Sequence, residues 1–94
     1  PNSLIELDCC DNKITSLDNL PNSLKKLYCE YNKITSLDNL PHTLKELYCD
    51  NNQITNLDNL PLSLTVLYCS YNPLTYNFEP TLKNIRKNNK KKIN

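Results

Sequence analysis

Five cysteines, one histidine and ten carboxylates are the groups in this 94-residue chain with side-chain chemistry to offer. Four of the cysteines, Cys9, Cys29, Cys49 and Cys69, stand at one fixed interval. A tetrahedral metal centre needs ligands that converge on a point, and a linear ladder with no histidine beside it does not converge. A disulfide framework is the other reading of an odd handful of cysteines. Each ladder cysteine, however, has a packing explanation as a small buried apolar residue, which predicts free thiols and a reducing, cytoplasmic compartment. The absence of any Asn-x-Ser/Thr acceptor agrees with that. Cys10 is the one cysteine off the ladder, its counterparts being Glu30, Asp50 and Ser70. Beside Asp8 and Asp11 its thiolate is disfavoured, so it makes a poor nucleophile. His42 shares a variable slot with Asn22 and Leu62 and reads as a surface residue. The Ser3/Ser23/Thr43/Ser63 and Thr15/Thr35/Thr55/Thr75 series read as turn and backbone partners. There is no Ser/His/Asp set, no isolated carboxylate pair and, with no glycine at all, no phosphate-cradling loop. The sequence therefore points away from an enzyme, a metal site, a cofactor or a small-molecule substrate.

What remains is recognition. Tyr28, Tyr48 and Tyr68 recur at the same interval as the cysteines, with Tyr31 and Tyr71 three residues after the first and third. Tyrosine offers a large, stiff contact area with a polar tip and is enriched where binding energy concentrates. The same ladder also serves a sheet as cross-strand packing. Glu30, Glu46 and Asp50 lie among the tyrosines and favour a basic protein or peptide partner. Tyr28, Tyr48, Tyr68, Tyr31, Tyr71, Glu30, Glu46 and Asp50 are thus the candidate partner-binding residues.

Their common interval is a twenty-residue repeat, Leu-x-x-Leu-x-Cys-x-x-Asn-x-Ile/Leu, opening at Leu4, Leu24, Leu44 and Leu64. In the first three copies it is followed by Thr-x-Leu-Asp-Asn-Leu-Pro. A unit this short cannot bury its apolar residues alone, so each coil must stack on the next around one continuous core. The second leucine and the cysteine lie two apart and face inward from a short strand, while their neighbours face out. The outward strand positions are read as Lys26, Tyr28, Glu30 and Tyr31 in the second unit, Glu46, Tyr48, Asp50 and Asn51 in the third, and Val66, Tyr68, Ser70 and Tyr71 in the fourth. Stacked strands run parallel, about 4.8 Å apart. The Asn12/Asn32/Asn52/Asn72 series is structural, satisfying backbone groups where the chain leaves the strand. The Asp-Asn-Leu-Pro stretch forms the return path, extended or polyproline-like and free of helix.

This wording resembles the shortest class of leucine-rich repeat, found in type III secreted bacterial effectors. Leu37-Asp38-Asn39-Leu40-Pro41-His42-Thr43-Leu44 matches that frame, with Asp38 in the place of a proline and cysteine in the place of the usual valine. The resemblance covers residues 1 to about 75. It implies a parallel β-solenoid, or horseshoe, that binds proteins, located in the host cytosol for an effector or viral protein. It also allows a second role, as the substrate-recognition arm of a larger effector enzyme such as a ubiquitin ligase. The Asn-, Lys-, Ile- and Tyr-rich composition is similar to repeat proteins of AT-rich amoebal and giant-virus genomes.

The repeat sets the domain plan: a repeat array over 1–77, a C-terminal cap helix over 78–87 and a basic disordered tail over 88–94. Pro1 is in register with Pro21, Pro41 and Pro61, so the array is expected to continue upstream. The period fails after Leu74, and Glu79-Pro80-Thr81 reads as a helix start, with Pro in the first turn and an acid near the positive end. Phe78, Leu82 and Ile85 then form an apolar stripe over the last coil. All ten acidic residues lie at or before Glu79, with five basic ones, whereas six basic residues and no acid follow it. A basic tail invites nucleic acid or anionic lipid, but an acidic inner face opposes phosphate. There is no apolar run long enough for a membrane span. The strand around Leu7 and Cys9, lacking a neighbour on one side, invites edge association between copies.

Overall fold

The computed structural model describes residues 3–93, and side chains to residue 91. The expected register of Pro1 and the end of the tail at Asn94 lie outside the described residues. Four three-residue strands, β1 (Glu6–Asp8), β2 (Lys26–Tyr28), β3 (Glu46–Tyr48) and β4 (Val66–Tyr68), precede a single helix, α1 (Leu82–Ile93). The strands form one parallel sheet in chain order. Its register pairs Leu7 with Leu27, Leu27 with Leu47, and Leu47 with Leu67, so residues one period apart sit side by side. Pairing continues past the strands, with the amides of Cys9, Cys29 and Cys49 donating to the carbonyls of Tyr28, Tyr48 and Tyr68 at 2.8, 2.9 and 2.8 Å.

The inward ladder is the core. Leu24, Leu27, Cys29, Ile34, Leu44, Leu47, Cys49, Ile54 and Leu64 are fully buried. Their unit-one counterparts Leu4, Leu7, Cys9 and Ile14 pack against this cluster but are only partly covered. Among the described residues unit one has a neighbouring coil on one side only, which is why Cys9 is half-buried where full burial was expected.

Two side-chain series hold the coils at their spacing. Asn32, Asn52 and Asn72 each donate from Nδ2 to the cysteine carbonyl of their own coil at 3.1 Å and to that of the preceding coil at 3.0 Å. Their Oδ1 atoms accept from the amides of Ile14, Ile34 and Ile54 at 3.1 Å. On the return path Ser23, Thr43 and Ser63 donate to the carbonyls of Leu4, Leu24 and Leu44. The return path carries no helix; a tight turn recurs in which the amides of Leu24, Leu44 and Leu64 donate to Pro21, Pro41 and Pro61 at 3.2 Å. Proline fits there because only its carbonyl is needed.

Each coil leaves its strand through a residue in the left-handed region: Asp11 (φ 59°), Tyr31 (58°), Asn51 (59°) and Tyr71 (58°). Asp and Asn tolerate this conformation, whereas for a tyrosine it costs about 1 kcal/mol. Tyr31 and Tyr71 are therefore turn residues, not the outward strand positions expected of them. Glu30 and Asp50 likewise follow the strands, which end at Tyr28 and Tyr48.

The C-terminal region departs from the expected boundaries. The helix begins at Leu82, with Thr81 Oγ1 accepting from the Asn84 amide at 3.1 Å as its N-cap, so Pro80 precedes the first turn and no acid lies within it. It continues to Ile93, through residues expected to be a disordered tail. Tertiary contacts explain the extra length. Arg86 Nη2 donates to the carbonyls of Pro61, Leu62 and Leu64, and Asn89 Nδ2 to that of Leu57 at 3.3 Å. The lysines that follow favour the negative end of a helix. Ile85 is fully buried, with Leu82 and Phe78 packed on the same core, so the apolar stripe does cover the last coil.

Candidate functional site

The registers that stack leucines inside stack tyrosines outside. Tyr28 and Tyr48 lie ring on ring at 4.6 Å and 6°, and Tyr48 and Tyr68 at 5.2 Å and 10°. Strand spacing dictates this, since side chains from paired positions of a parallel sheet stand about one strand apart. The stacked faces are spent on each other, leaving ring edges, hydroxyls and the outer face of Tyr68, which is 54% exposed. Tyr31 and Tyr71 project from the turns beside this wall, 58% and 81% exposed. Asp8 takes the tyrosine position in β1, so the stripe spans three coils and ends in a carboxylate.

Charges edge the stripe on both sides. Before it runs Glu6, Lys26, Glu46 and Val66, where Lys26 Nζ lies 3.7 Å from Glu6 and 3.6 Å from Glu46. These carboxylates, Glu46 first, hold the Lys26 ammonium above its ordinary pKa. The Tyr48 hydroxyl donates to the same Glu46, and chiefly for that reason its pKa is pushed up to about 12. After the stripe come Cys10, Glu30, Asp50 and Ser70, where Asp50 Oδ1 accepts from the Ser70 amide at 2.6 Å. Glu46 is thus engaged by two neighbours, so Glu30 and Asp50 carry more of the face's negative field. Of the eight candidate residues, Tyr28, Tyr48, Tyr68 and Glu46 lie on the strands, and Glu30, Tyr31, Asp50 and Tyr71 at the coil exits.

The thiols are free. Cys10 Sγ lies 3.5 Å from Glu30 Oε1, and burial, then Asp8 and Glu30, push its pKa up to about 12. Burial likewise raises Cys29 and Cys49. The thiolate, not the thiol, is the nucleophile that attacks alkylating and disulfide reagents. At pH 8 all five cysteines should therefore label far more slowly than an unfolded control. Cys10 should be accelerated in Glu30→Gln, with Cys29 and Cys49 still held slow by burial, by mass spectrometry of alkylated peptides. A rapidly labelled Cys29 would contradict the inward ladder. His42 is exposed on the return path, away from the tyrosines. Among the described residues no three His, Cys, Asp or Glu side chains group to hold a metal ion. No described helix is long and apolar enough to cross a membrane.

Sequence reasoning did not anticipate the left-handed exits, because tyrosine carries no turn signal. The Asp11 and Asn51 members of the same slot were the available clue.

A sheet of parallel strands joined by helix-free return turns, one coil per repeat, defines a solenoid. Two copies of the leucine-rich repeat model match residues 2–42 and 22–62, and a further leucine-rich repeat model matches 63–85. The chain belongs to the leucine-rich repeat family. Such repeats generally mediate protein–protein interaction and are typically non-enzymatic binding modules. Comparison with curated proteins and with solved structures finds no significant match.

Proposed function

We infer that the tyrosine wall binds a basic, extended protein segment, with Tyr28, Tyr48 and Tyr68 as the contact stripe and Tyr31 and Tyr71 flanking it. Glu30 and Asp50, with a smaller share from Glu46, favour cationic side chains. The observation that carries this reading is the co-stacking of three rings on one wall edged by carboxylates. Rings already locked against one another lose little rotamer entropy on binding, which favours a partner. Their edges carry partial positive charge, so preference for cations comes from the carboxylates and not from the rings. Four strands about 4.8 Å apart form a narrow ribbon, and the contact falls below the usual ~800 Å² per partner. Binding is therefore weak and weakens further with salt.

Fluorescence anisotropy with labelled peptides, one Lys/Arg-rich and one Glu-rich, tests this. The basic peptide should bind, and the Tyr28→Ala/Tyr48→Ala double variant should bind it at least about tenfold more weakly, about 1.4 kcal/mol, with unchanged circular dichroism. Glu30→Gln/Asp50→Asn should reduce its salt dependence. Equal affinity for both peptides, or full binding by the double tyrosine variant, would remove the wall from consideration.

A further inference from the structure

The cap helix creates a feature that the repeats alone lack. Between α1 and the return loop of the fourth coil runs a groove of about 1010 Å³. Leu60, Leu62 and Leu82 line it as an apolar strip. Leu62 is 91% exposed, the most exposed large apolar residue described. The same slot holds Asn22 and His42 in the two preceding coils, so leucine replaces polar residues only at the coil where the helix builds a wall.

That wall is cationic. Lys83, Lys87 and Lys90 recur at four- and three-residue steps, which align on one helix face. All three are exposed and line the groove, and α1 contains no acid. Arg86 lines it too, but its Nη2 is turned into the return loop, where it bonds three carbonyls. Together with Asn89 on Leu57, this pins helix and loop to each other, so the groove is preformed. Its one carboxylate, Asp58, accepts from the Tyr76 hydroxyl at 2.8 Å.

We propose that this groove is a second docking site, which takes an acidic peptide segment bearing apolar anchors. The anchors lie along Leu60, Leu62 and Leu82, and the carboxylates face Lys83, Lys87 and Lys90. Charge complementarity selects this occupant: three exposed lysines on one face have no described ion-pair partner in the chain, and an apolar strip runs at their feet. A phosphodiester strand matches the lysines but leaves the leucines uncovered. A bilayer surface is flat, and on this side of the fold Ile85 is turned inward to the core and Leu82 is partly covered, leaving Leu62 as the aliphatic side chain that protrudes at the groove. The site has the opposite charge preference to the tyrosine wall, so one chain would hold a basic segment inside and an acidic one outside.

A fluorescein-labelled ten-residue peptide of alternating Glu and Leu, titrated with the full chain, provides the test. It should bind at least about tenfold more tightly than the same peptide with Glu replaced by Lys or Leu replaced by Ser. Leu62→Ser and Lys83→Glu/Lys87→Glu, both at exposed positions, should each lower affinity about tenfold with helix signal and thermal midpoint unchanged. Tyr28→Ala/Tyr48→Ala should leave this binding intact, which separates its failure from failure of the tyrosine-wall reading. Equal binding of all three peptides, or indifference to Leu62→Ser, overturns the proposal. So does a preference for phosphatidylglycerol vesicles, for single-stranded DNA, or for a Leu62-dependent dimer in sedimentation over the peptide.

Discussion

Replacing Asn52 by alanine is expected to destabilise the fold by about 3–5 kcal/mol, more than any surface change on the tyrosine wall. Asn52 is 7% exposed and bonds across two coils: Nδ2 to the carbonyls of Cys29, Cys49 and Asp50, and Oδ1 from the Ile34 amide. The carbonyls survive the loss better than the amide. Cys29 keeps the Nδ2 of Asn32, and Cys49 that of Asn72, because each cysteine carbonyl serves two asparagines. The Ile34 amide has no second described partner and is stranded inside a fully buried residue. An orphaned buried donor costs about 1–3 kcal/mol, and each lost bond adds about 0.5–1.5 kcal/mol. Asn12 is the internal control: it is exposed and bonds only the carbonyls of Cys9 and Cys10 in its own coil. Asn12→Ala should cost below about 1 kcal/mol. Urea unfolding of both variants measures the contrast. Equal losses would show that the ladder does not act between coils.

How far the sequence disclosed all this depended on whether a residue's role follows from its period. Leu27, Cys29 and Tyr28 repeat in place, and place determines face, so the core and the ring stripe could be read directly. The asparagines were legible as backbone partners by type. That Asn32, Asn52 and Asn72 each bridge two coils was not, because the second acceptor, as with Cys29 for Asn52, lies twenty-three residues away. Tyr31 and Tyr71 were misplaced by extending strand alternation three residues too far, where an αL residue resets the direction of the chain. The end of the helix was misread for a related reason. Composition after Arg86 is that of a solvated tail, and the contacts from Arg86 and Asn89 that anchor the helix reach a loop more than twenty residues earlier. The groove those contacts create was invisible for the same cause.

The cap suggests the second large effect. Ile85→Asp should remove about 4 kcal/mol or more, a large share of the 5–15 kcal/mol typical of a domain. Ile85 is fully buried in the cluster that also takes Leu82 and Phe78, and a carboxylate there has no described cationic partner in reach. Where the loss falls is as informative as its size. In a stack, each coil touches only its neighbours, so removing an end cover should loosen the adjoining coil first. Three equivalent amides report on this, since Cys9, Cys29 and Cys49 each donate to the carbonyl of the following coil. Hydrogen exchange in Ile85→Asp should release Cys49 first and Cys9 last, reversing the order expected when protection simply follows core burial, which favours Cys49 over the half-buried Cys9. Lys91→Ala, at an exposed position of the same helix, should leave both stability and order unchanged. Simultaneous release of all three amides would mean that the coils unfold as one body, and that the helix stabilises the whole array and not its last coil.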